Sequence, residues 1–270
     1  MQYQPFSHHA EESSIDELID LLIEHTVFFA FSEKEVLKYH GCGKLDDLKK
    51  AANYAYARKR ISRKAKGTAG EVLLDLLIQL VEPGSRKFFT RLRYRDLGEV
   101  DPKGYDAAVF STQEGKISLW LGQAKSNLRL DESKDELLND LKKNTKKYFV
   151  NYLFYVADEK DSTFCEIIDK LNQISEDAEI EGWTDEKKFD EVQNVLRQHK
   201  VTIRFPCLMT FSHNCYKETN LGKSIEKVRD SVVNFFDEKD LDIEVDYELL
   251  PIYIFPVTDI ERLRESVVKK

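Results

Sequence analysis

The sequence predicts a mixed α/β protein, in which a central sheet is flanked by helices and helical elaborations stand at both ends. Two observations predict this class. Helical periodicity dominates residues 1–80, and from residue 88 onward strand-like runs alternate with helical ones. Since a sheet and an amphipathic helix each need a partner surface to bury their apolar side chains, we expect the helices to pack on the sheet.

Four helices are predicted first. The segment Ser13-Ser14-Ile15-Asp16-Glu17 precedes the apolar periodicity of residues 18–29 and is typical of a helix start. Further helices are expected at residues 33–38, 44–64 and 70–81, and Pro83-Gly84 ends the last of them. The remaining predictions are strands at 88–95, 105–111 and 117–125, a helix at 131–148, a strand at 152–156, helices at 164–174 and 187–199, a strand at 203–211, a helix at 224–236 and a strand at 250–255.

Composition bounds the number of domains and the compartment. The chain has 270 residues, 41% of them hydrophobic, which suffices for one sizeable core. We expect one compact unit, made of an N-terminal helical region, 1–66, and an α/β core with a C-terminal elaboration, 67–270. The four cysteines form no CxxC pair, and the chain shows neither a secretory signal pattern nor a membrane-spanning apolar run. We therefore expect a cytoplasmic protein without membrane contact.

A polar cluster is predicted where two of the strands meet. A two-residue hairpin turn at Glu114-Gly115 sets the register, so that Asp106 falls opposite Gln123. Because side chains alternate between the two faces of a strand, Asp106, Gln123 and Lys125 project to the same side. Two oxygen-bearing groups beside an ammonium group can hold a hard cation next to a phosphate.

The helix before the sheet carries a narrow polar stripe. Glu71, Asp75 and Gln79 share one face of an otherwise apolar segment. If this face looks toward Asp106 and Gln123, Glu71 is a further ligand of a metal ion or of its bound water. The alternative is that Glu71 and Asp75 favour the positive end of the helix dipole and face solvent.

These residues carry a resemblance to a known superfamily. The pair Gly70-Glu71 on a helix, Asp106 at a strand, and the hairpin partner Leu119-Trp120-Leu121-Gly122-Gln123-Ala124-Lys125 resemble the PD-(D/E)XK nucleases over about residues 67–156. More narrowly, the same segments resemble HamA, the nuclease-subunit family of Hachiman-type bacterial phage defence. The resemblance implies a restriction-endonuclease-like core, a deoxyribonuclease that depends on Mg²⁺ or Mn²⁺, and a separate helicase subunit as partner.

The resemblance also implies a role for each residue. Asp106 would be the principal ligand of Mg²⁺, assisted by the carbonyl oxygen of Gln123, the backbone carbonyl of Ala124 and the carboxylate of Glu71. Lys125 would orient or help to deprotonate the attacking water. The cation is needed because it neutralises the phosphodiester and helps to make hydroxide from water.

Gln123 departs from the family pattern, in which the common residue is glutamate. A neutral amide binds Mg²⁺ less well than a carboxylate does, so a second metal ion is not expected. Three interpretations stay open: a natural active variant, an engineered replacement of glutamate, and a natural pseudoenzyme. A natural chain that lacks the acidic second ligand leads to an alternative function, a catalytically silent subunit that binds nucleic acid or regulates a helicase.

Clusters of cations flank the proposed site. The strongest consists of Arg58, Lys59, Arg60, Arg63, Lys64 and Lys66, and others are Arg91, Arg93 and Arg95 on a strand and Lys142, Lys143, Lys146 and Lys147 on a helix. With a net charge of −8, DNA contact must be local, and such clusters suit phosphate binding, although each alone is more often a solvated face. Tyr54, Tyr56 and Tyr94 could stack bases, although buried aromatic residues are commoner. The sequence leaves open DNA or RNA, endo- or exonuclease action and the oligomeric state.

Overall fold

The computed structural model describes residues 12–31, 33–58, 67–81, 86–90, 104–113, 115–157, 164–237, 241, 243–248 and 252–269. Within these ranges the chain forms ten α-helices and seven strands, arranged as a curled, mostly parallel sheet with helices on both sides. The predicted mixed α/β class is therefore confirmed. None of the helices in these ranges is long and apolar enough to cross a membrane.

The helices follow the apolar periodicity of the sequence. Their bounds are α1 Glu12–Ala30, α2 Glu33–Gly41, α3 Leu48–Arg58, α4 Thr68–Val81, α5 Leu130–Lys147, α6 Phe149–Ala157, α7 Cys165–Glu181, α8 Asp185–Gln198, α9 Glu218–Asp237 and α10 Ile260–Lys269. The strands are β1 Arg86–Thr90, β2 Ala107–Gln113, β3 Lys116–Asn127, β4 Thr202–Arg204, β5 Cys207–Ser212, β6 Tyr247–Glu248 and β7 Ile252–Val257.

The long strand β3 lies at the centre of the sheet. It closes an antiparallel meander with β1 and β2, and its other edge pairs in parallel first with β4 and then with β5. β6 and β7 extend the sheet in parallel from β4 and β5. Each residue of β3 therefore pairs with at least one neighbouring strand, and residues 118–120 pair on both edges, which fixes the position of the residues that β3 carries.

Two helical layers cover the sheet, and alternation along β3 divides its side chains between them. Leu119 and Leu121 belong to the core that α5 to α9 cover, whereas Trp120 and Ala124 belong to the core that α1 to α4 and α10 cover. The N-terminal helices therefore share a core with the sheet and with the C-terminal helix. Each residue of β3 can be assigned to a layer by its parity.

Three sequence predictions need correction in the described ranges. Residues 152–156 were expected to form a strand, but they lie in α6, because a short run that is apolar on all sides satisfies a buried helix as well as a strand. The strand at 203–211 is divided into β4 and β5 at Phe205-Pro206, since proline has no N–H for a sheet ladder. Helix α10 was not predicted, although Ile260, Leu263 and Val267 follow helical spacing and are buried.

Helix α4 approaches β3 closely at a glycine. A Cβ atom added at Gly70 would lie 2.5 Å from Ser126 Oγ, and that hydroxyl is bonded to Thr210 Oγ1 at 2.5 Å. At Gly222 of α9, by contrast, a Cβ atom would meet nothing within 4 Å. The absence of a side chain at Gly70 is therefore a packing requirement.

Replacing Gly70 by alanine is expected to lower the free energy of unfolding by about 1–3 kcal/mol, the usual cost of overpacking a close contact. The matched variant Gly222→Ala is expected to be neutral or to stabilise the protein by up to about 1 kcal/mol, because alanine is the better helix former. Urea denaturation of both variants measures the difference. Equal stability of the two would contradict the close approach of α4 to β3.

Candidate active site where two strands part

The predicted hairpin register is present in the structure. Gln113 pairs with Lys116, and the ladder between β2 and β3 runs to Ala107 opposite Gly122. One residue further on, the N–H of Asp106 donates to the carbonyl of Gly122 at 2.8 Å, which places Asp106 beside Gln123. Gly115 has φ +77° in the turn, a conformation that favours glycine.

β3 continues past this point without β2. The ladder between β2 and β3 ends at Ala107 opposite Gly122. Residues 123–127 of β3 pair with β5 on one edge, and their other edge does not pair with β2. The N–H of Gln123 donates to the carbonyl of Pro206 at 3.0 Å, on the side of β5. The N–H of Ala124 turns the other way and donates to the carboxylate of Asp106 at 2.8 Å. A carboxylate thus takes the place of the missing strand.

The Asp106 carboxylate is held by two donors. It is 2% exposed, and its Oδ2 accepts from Ala124 N at 2.8 Å and from Gln123 Nε2 at 2.6 Å. Hydrogen bonds to an ionised carboxylate are the stronger kind, and a buried carboxylate without them would be costly. This arrangement stabilises Asp106 in its charged form.

The orientation of the Gln123 amide follows from its neighbours. Asn144 Nδ2 on α5 donates to Gln123 Oε1 at 2.9 Å and to the carbonyl of Gly104 at 2.8 Å. Because the Asn144 amide nitrogen must face these two acceptors, Gln123 must turn its oxygen to Asn144 and its NH₂ group to Asp106. The residues Asp106, Gln123 and Asn144 form a connected, buried network in which each amide has one fixed orientation.

Lys125 lies two residues further along β3, on the same face. Its Nζ donates to Asp140 Oδ2 at 2.5 Å, and the two side chains are 20% and 35% exposed. The ammonium group is therefore held beside the cluster while it remains accessible to solvent. An ion pair with this exposure contributes modestly to stability and more to the position of the ammonium group.

Helix α5 holds the β3 side chains through a polar ladder. Glu136, Asp140 and Asn144 stand at i, i+4 and i+8 on one face of α5, and they bond respectively to Asn127, Lys125 and Gln123. The matched periods of helix and strand bring these six residues together. The sequence prediction missed Asp140 and Asn144, and the four-residue spacing of polar side chains on the helix after Lys125 was the signal that could have found them.

Glu71 lies across the sheet from this ladder. It is half-buried in the first turn of α4, which packs against the face of β3 that carries Ala124 and Ser126. The side chains of Asp106 and Gln123 bond to each other, and they also bond to the Ala124 N–H on β3 and to Asn144 on α5. The structure therefore brings Asp106, Gln123 and Lys125 together as predicted, while the participation of Glu71 stays a prediction.

Asp75 does not face solvent, although one interpretation of the α4 stripe expected it to. It is 1% exposed, and its Oδ2 lies 2.8 Å from His25 Nε2 on α1. Asp75 therefore faces neither solvent nor the Asp106 cluster. This part of the polar stripe is a contact between α1 and α4.

The donor atoms at Asp106 suit one hard cation. In the part of the chain that the structure describes, no three His, Cys, Asp or Glu side chains form a group that could hold a metal ion. Among the described residues, Asp106 would give such a cation one carboxylate and Gln123 a neutral oxygen, and Glu71 would add a second carboxylate if it takes part. Gln123 Oε1 has two lone pairs, of which the bond from Asn144 uses one. In this structure Gln123 turns its NH₂ group to Asp106 and its Oε1 to Asn144, so Oε1 would join Asp106 in holding a single Mg²⁺ or Mn²⁺ only after the amide rotates.

The candidate nucleic-acid residues are only partly described. Lys59, Arg60, Arg63, Lys64, Lys66, Arg91, Arg93 and Arg95 lie outside the described residues, and Arg58 ends α3. On α5, Lys143 and Lys147 are exposed and Lys142 is half-buried. Exposed cations thus stand on the helix that also supplies the ladder. Tyr56 does not serve as a stacking surface, because it is buried and its hydroxyl donates to the carbonyl of Val267; Tyr94 lies outside the described residues.

The fold and the site define a class: a mixed α/β protein with an Asp, Gln-x-Lys cluster at the point where two central strands part. Among protein-family models, the HamA model matches residues 4–270, nearly the whole chain. The chain therefore belongs to the HamA family, and since HamA is the Hachiman defence protein, it is a protein of Hachiman anti-phage defence. A comparison with curated proteins finds no significant match.

Proposed function

We propose that this chain is a metal-dependent nuclease that cleaves DNA phosphodiesters, as the effector subunit of a Hachiman system in which a helicase is its partner. The observation that carries the proposal is the buried Asp106–Gln123 pair with Lys125 beside it, at the divergence of β2 and β3. The family supports the defence role. The helicase partner rests on the resemblance alone.

The residues of the cluster have distinct roles in this proposal. Asp106 would hold Mg²⁺ or Mn²⁺ with the carbonyl oxygens of Gln123 and Ala124, and Glu71 would assist from α4. The bound cation supplies neutralisation of the phosphate charge and a lower pKa for its water. Lys125 Nζ, held by Asp140, orients the water and stabilises the negative charge that develops on the phosphate.

The DNA backbone would be bound by cations around the cluster. The exposed Lys143 and Lys147 on α5 and the basic run Arg58, Lys59, Arg60, Arg63, Lys64 and Lys66 are the residues proposed for this contact. Phosphate contacts release counterions, so binding should weaken steeply with salt and depend little on sequence.

One observation favours a second candidate function. The Gln123 NH₂ group donates to Asp106, so the network is complete without a cation. A chain with this network could keep the nuclease fold as a silent subunit that binds nucleic acid or regulates the helicase. Such a subunit would bind DNA in the presence of Mg²⁺ and leave it intact.

The first test is cleavage of supercoiled plasmid by the purified chain in Mg²⁺, Mn²⁺ or EDTA. Lys125→Ala is expected to lower metal-dependent nicking by about 10²–10⁴-fold, the usual contribution of a positioned acid–base group. Asp106→Ala is expected to abolish it, because the proposed principal ligand of the metal ion is lost. Lys223→Ala, on the exposed face of α9 and away from every residue proposed for DNA contact, is the matched control and is expected to nick plasmid like the native chain.

Two outcomes distinguish the candidates. Metal-dependent nicking that survives both Asp106→Ala and Lys125→Ala, in variants with native circular dichroism, contradicts the assignment of this site. Binding of DNA by the native chain, without nicking in any of the three conditions, favours the silent subunit.

A further inference from the structure

A small pocket opens beside α3, in the N-terminal helical layer. It has a volume of about 200 Å³ and lies between α2, the turn that follows it and α3. The residues that line it are Tyr39, Lys44, Leu45, Lys50, Ala51 and Tyr54. Its lining thus combines aromatic rings, aliphatic side chains and two lysines.

Tyr39 and Tyr54 form an aromatic wall of the pocket, and the ring of Phe31 packs against both of them. The ring centroids of Phe31 and Tyr39 are 4.9 Å apart, those of Tyr39 and Tyr54 are 5.5 Å apart, and those of Phe31 and Tyr54 are 6.0 Å apart. These are favourable edge-to-face and tilted contacts. Phe31 is 3% exposed and Tyr39 9%, whereas Tyr54 is 39% exposed. The buried rings hold Tyr54 in a fixed position with part of its surface open to solvent.

Lys44 lies over two of these rings. Its Nζ is 5.1 Å from the centroid of Tyr54 and 5.5 Å from that of Tyr39, both within the range of a cation–π contact. The N–H of Lys44 donates to the carbonyl of Tyr39 at 2.9 Å, and Gly43 before it has φ +67°, so the turn fixes where the side chain begins. Among the described residues, no carboxylate forms an ion pair with Lys44. The ammonium group of Lys44 can therefore bind an anionic group of a ligand in the pocket.

The second lysine stands on the same helix stripe as Tyr54. Lys50, Tyr54 and position 58 are spaced by four residues along α3, and Arg58 begins the basic run of the sequence. Lys50 Nζ pairs with Asp47 at 3.2 Å, but its side chain is 86% exposed, and such a surface pair is weak. A phosphate can compete with Asp47 for Lys50.

We propose that this pocket binds one nucleotide, with its base stacked on Tyr54 and its phosphate bound by Lys44 and Lys50. A flat aromatic ligand with negative charge suits the part of the Tyr54 ring that is open to solvent, with Lys44 over the ring and Lys50 one helical turn away. Base stacking on aromatic side chains is the usual means of holding unpaired nucleotides. The stripe toward Arg58 favours a nucleotide within a single strand over a free one. The site is separate from Asp106 and does not depend on cleavage.

The test is the binding of a fluorescently labelled twelve-nucleotide oligothymidylate to the full chain in EDTA, measured by anisotropy. Tyr54→Leu is expected to weaken binding about tenfold, within the usual effect of losing one stacked base. Tyr54→Phe retains the ring and is expected to bind like the native chain. Lys44→Gln is expected to weaken binding and to make it less sensitive to salt, because one phosphate contact is lost.

Three further ligands separate stacking from charge. An abasic oligomer of equal length should bind the native chain and Tyr54→Leu equally, and a duplex should show no effect of Tyr54→Leu. If thymidine monophosphate competes with the oligomer for the native chain but not for Tyr54→Leu, the pocket binds one nucleotide of a strand. If the monophosphate saturates the native chain while the oligomer binds the native chain and Tyr54→Leu equally, the pocket binds a free nucleotide. The proposal would be overturned if the native chain and Tyr54→Leu, each with the native melting temperature, bound the oligomer equally and also bound the monophosphate equally.

Discussion

Replacing Gln123 by glutamate is expected to increase Mg²⁺ affinity at least tenfold and to raise the rate of plasmid nicking with it. The Gln123 amide nitrogen lies 2.6 Å from Asp106 Oδ2 and donates a hydrogen bond to it, so the native pair carries only the charge of Asp106. A carboxylate at the same position would face a second carboxylate, and two such groups cannot both ionise at this distance without a cation between them. Asn144 could still donate to the new oxygen, so the variant keeps that support.

Metal binding by Gln123→Glu can be measured apart from cleavage. In EDTA the variant is expected to be less stable than the native chain, because its carboxylates repel or must share a proton. Mg²⁺ at about 100 times its dissociation constant should then stabilise the variant by about 2.7 kcal/mol, and the melting temperature should rise accordingly. The double variant with Lys125→Ala should show the same Mg²⁺-dependent stabilisation without cleavage.

The comparison of Gln123→Glu with the native chain also separates the natural active variant from the two inactive interpretations of Gln123. Nicking by the native chain identifies a working nuclease with an amide ligand. If only the glutamate variant nicks the plasmid, glutamine at position 123 disables the site in the native chain. If neither the stability nor the activity of the glutamate variant changes with Mg²⁺, the metal site at Asp106 is contradicted.

The cluster on β2 and β3 could be predicted because its geometry is local. A two-residue turn fixes the register of a hairpin, and strand alternation then fixes which side chains share a face, so Asp106 and Gln123 could be paired by counting. Asp140 and Asn144 could not be placed in this way. Their contact with β3 depends on how α5 packs on the sheet, and a polar stripe on a helix is as compatible with solvent as with a buried network.

The same limit explains the errors elsewhere in the fold. Residues 152–156 are aromatic and aliphatic on every side, so no period in the sequence separates a strand from the helix that they form. Asp75 was assigned to one polar stripe with Glu71, yet its partner is His25, 50 positions earlier in the chain. A contact of that separation is set by the packing of α1 on α4 and has no local signal in the sequence.

Replacing His25 by alanine is expected to lower the free energy of unfolding by about 3 kcal/mol, because it removes a hydrogen-bonded partner from a buried carboxylate. The side chains of His25 and Asp75 are 11% and 2% exposed, and their bond of 2.8 Å joins α1 to α4. An ionised Asp75 only accepts, and in that state the bond requires His25 Nε2 to carry the proton. Urea denaturation at neutral pH measures the loss.

Two variants show whether the loss comes from the pair. His25→Gln keeps a donor of similar reach and is expected to retain part of the stability, whereas His40→Ala changes an exposed histidine of α2 and should stay within about 0.5 kcal/mol of the native chain. If His25→Ala were as stable as His40→Ala, the bond to Asp75 would not hold α1 and α4 together. Because Glu71 stands one turn before Asp75 on α4, loss of the pair should also weaken any contribution of Glu71 to Mg²⁺ binding. Gln123→Glu combined with His25→Ala measures this effect as a lower Mg²⁺ affinity than that of Gln123→Glu alone.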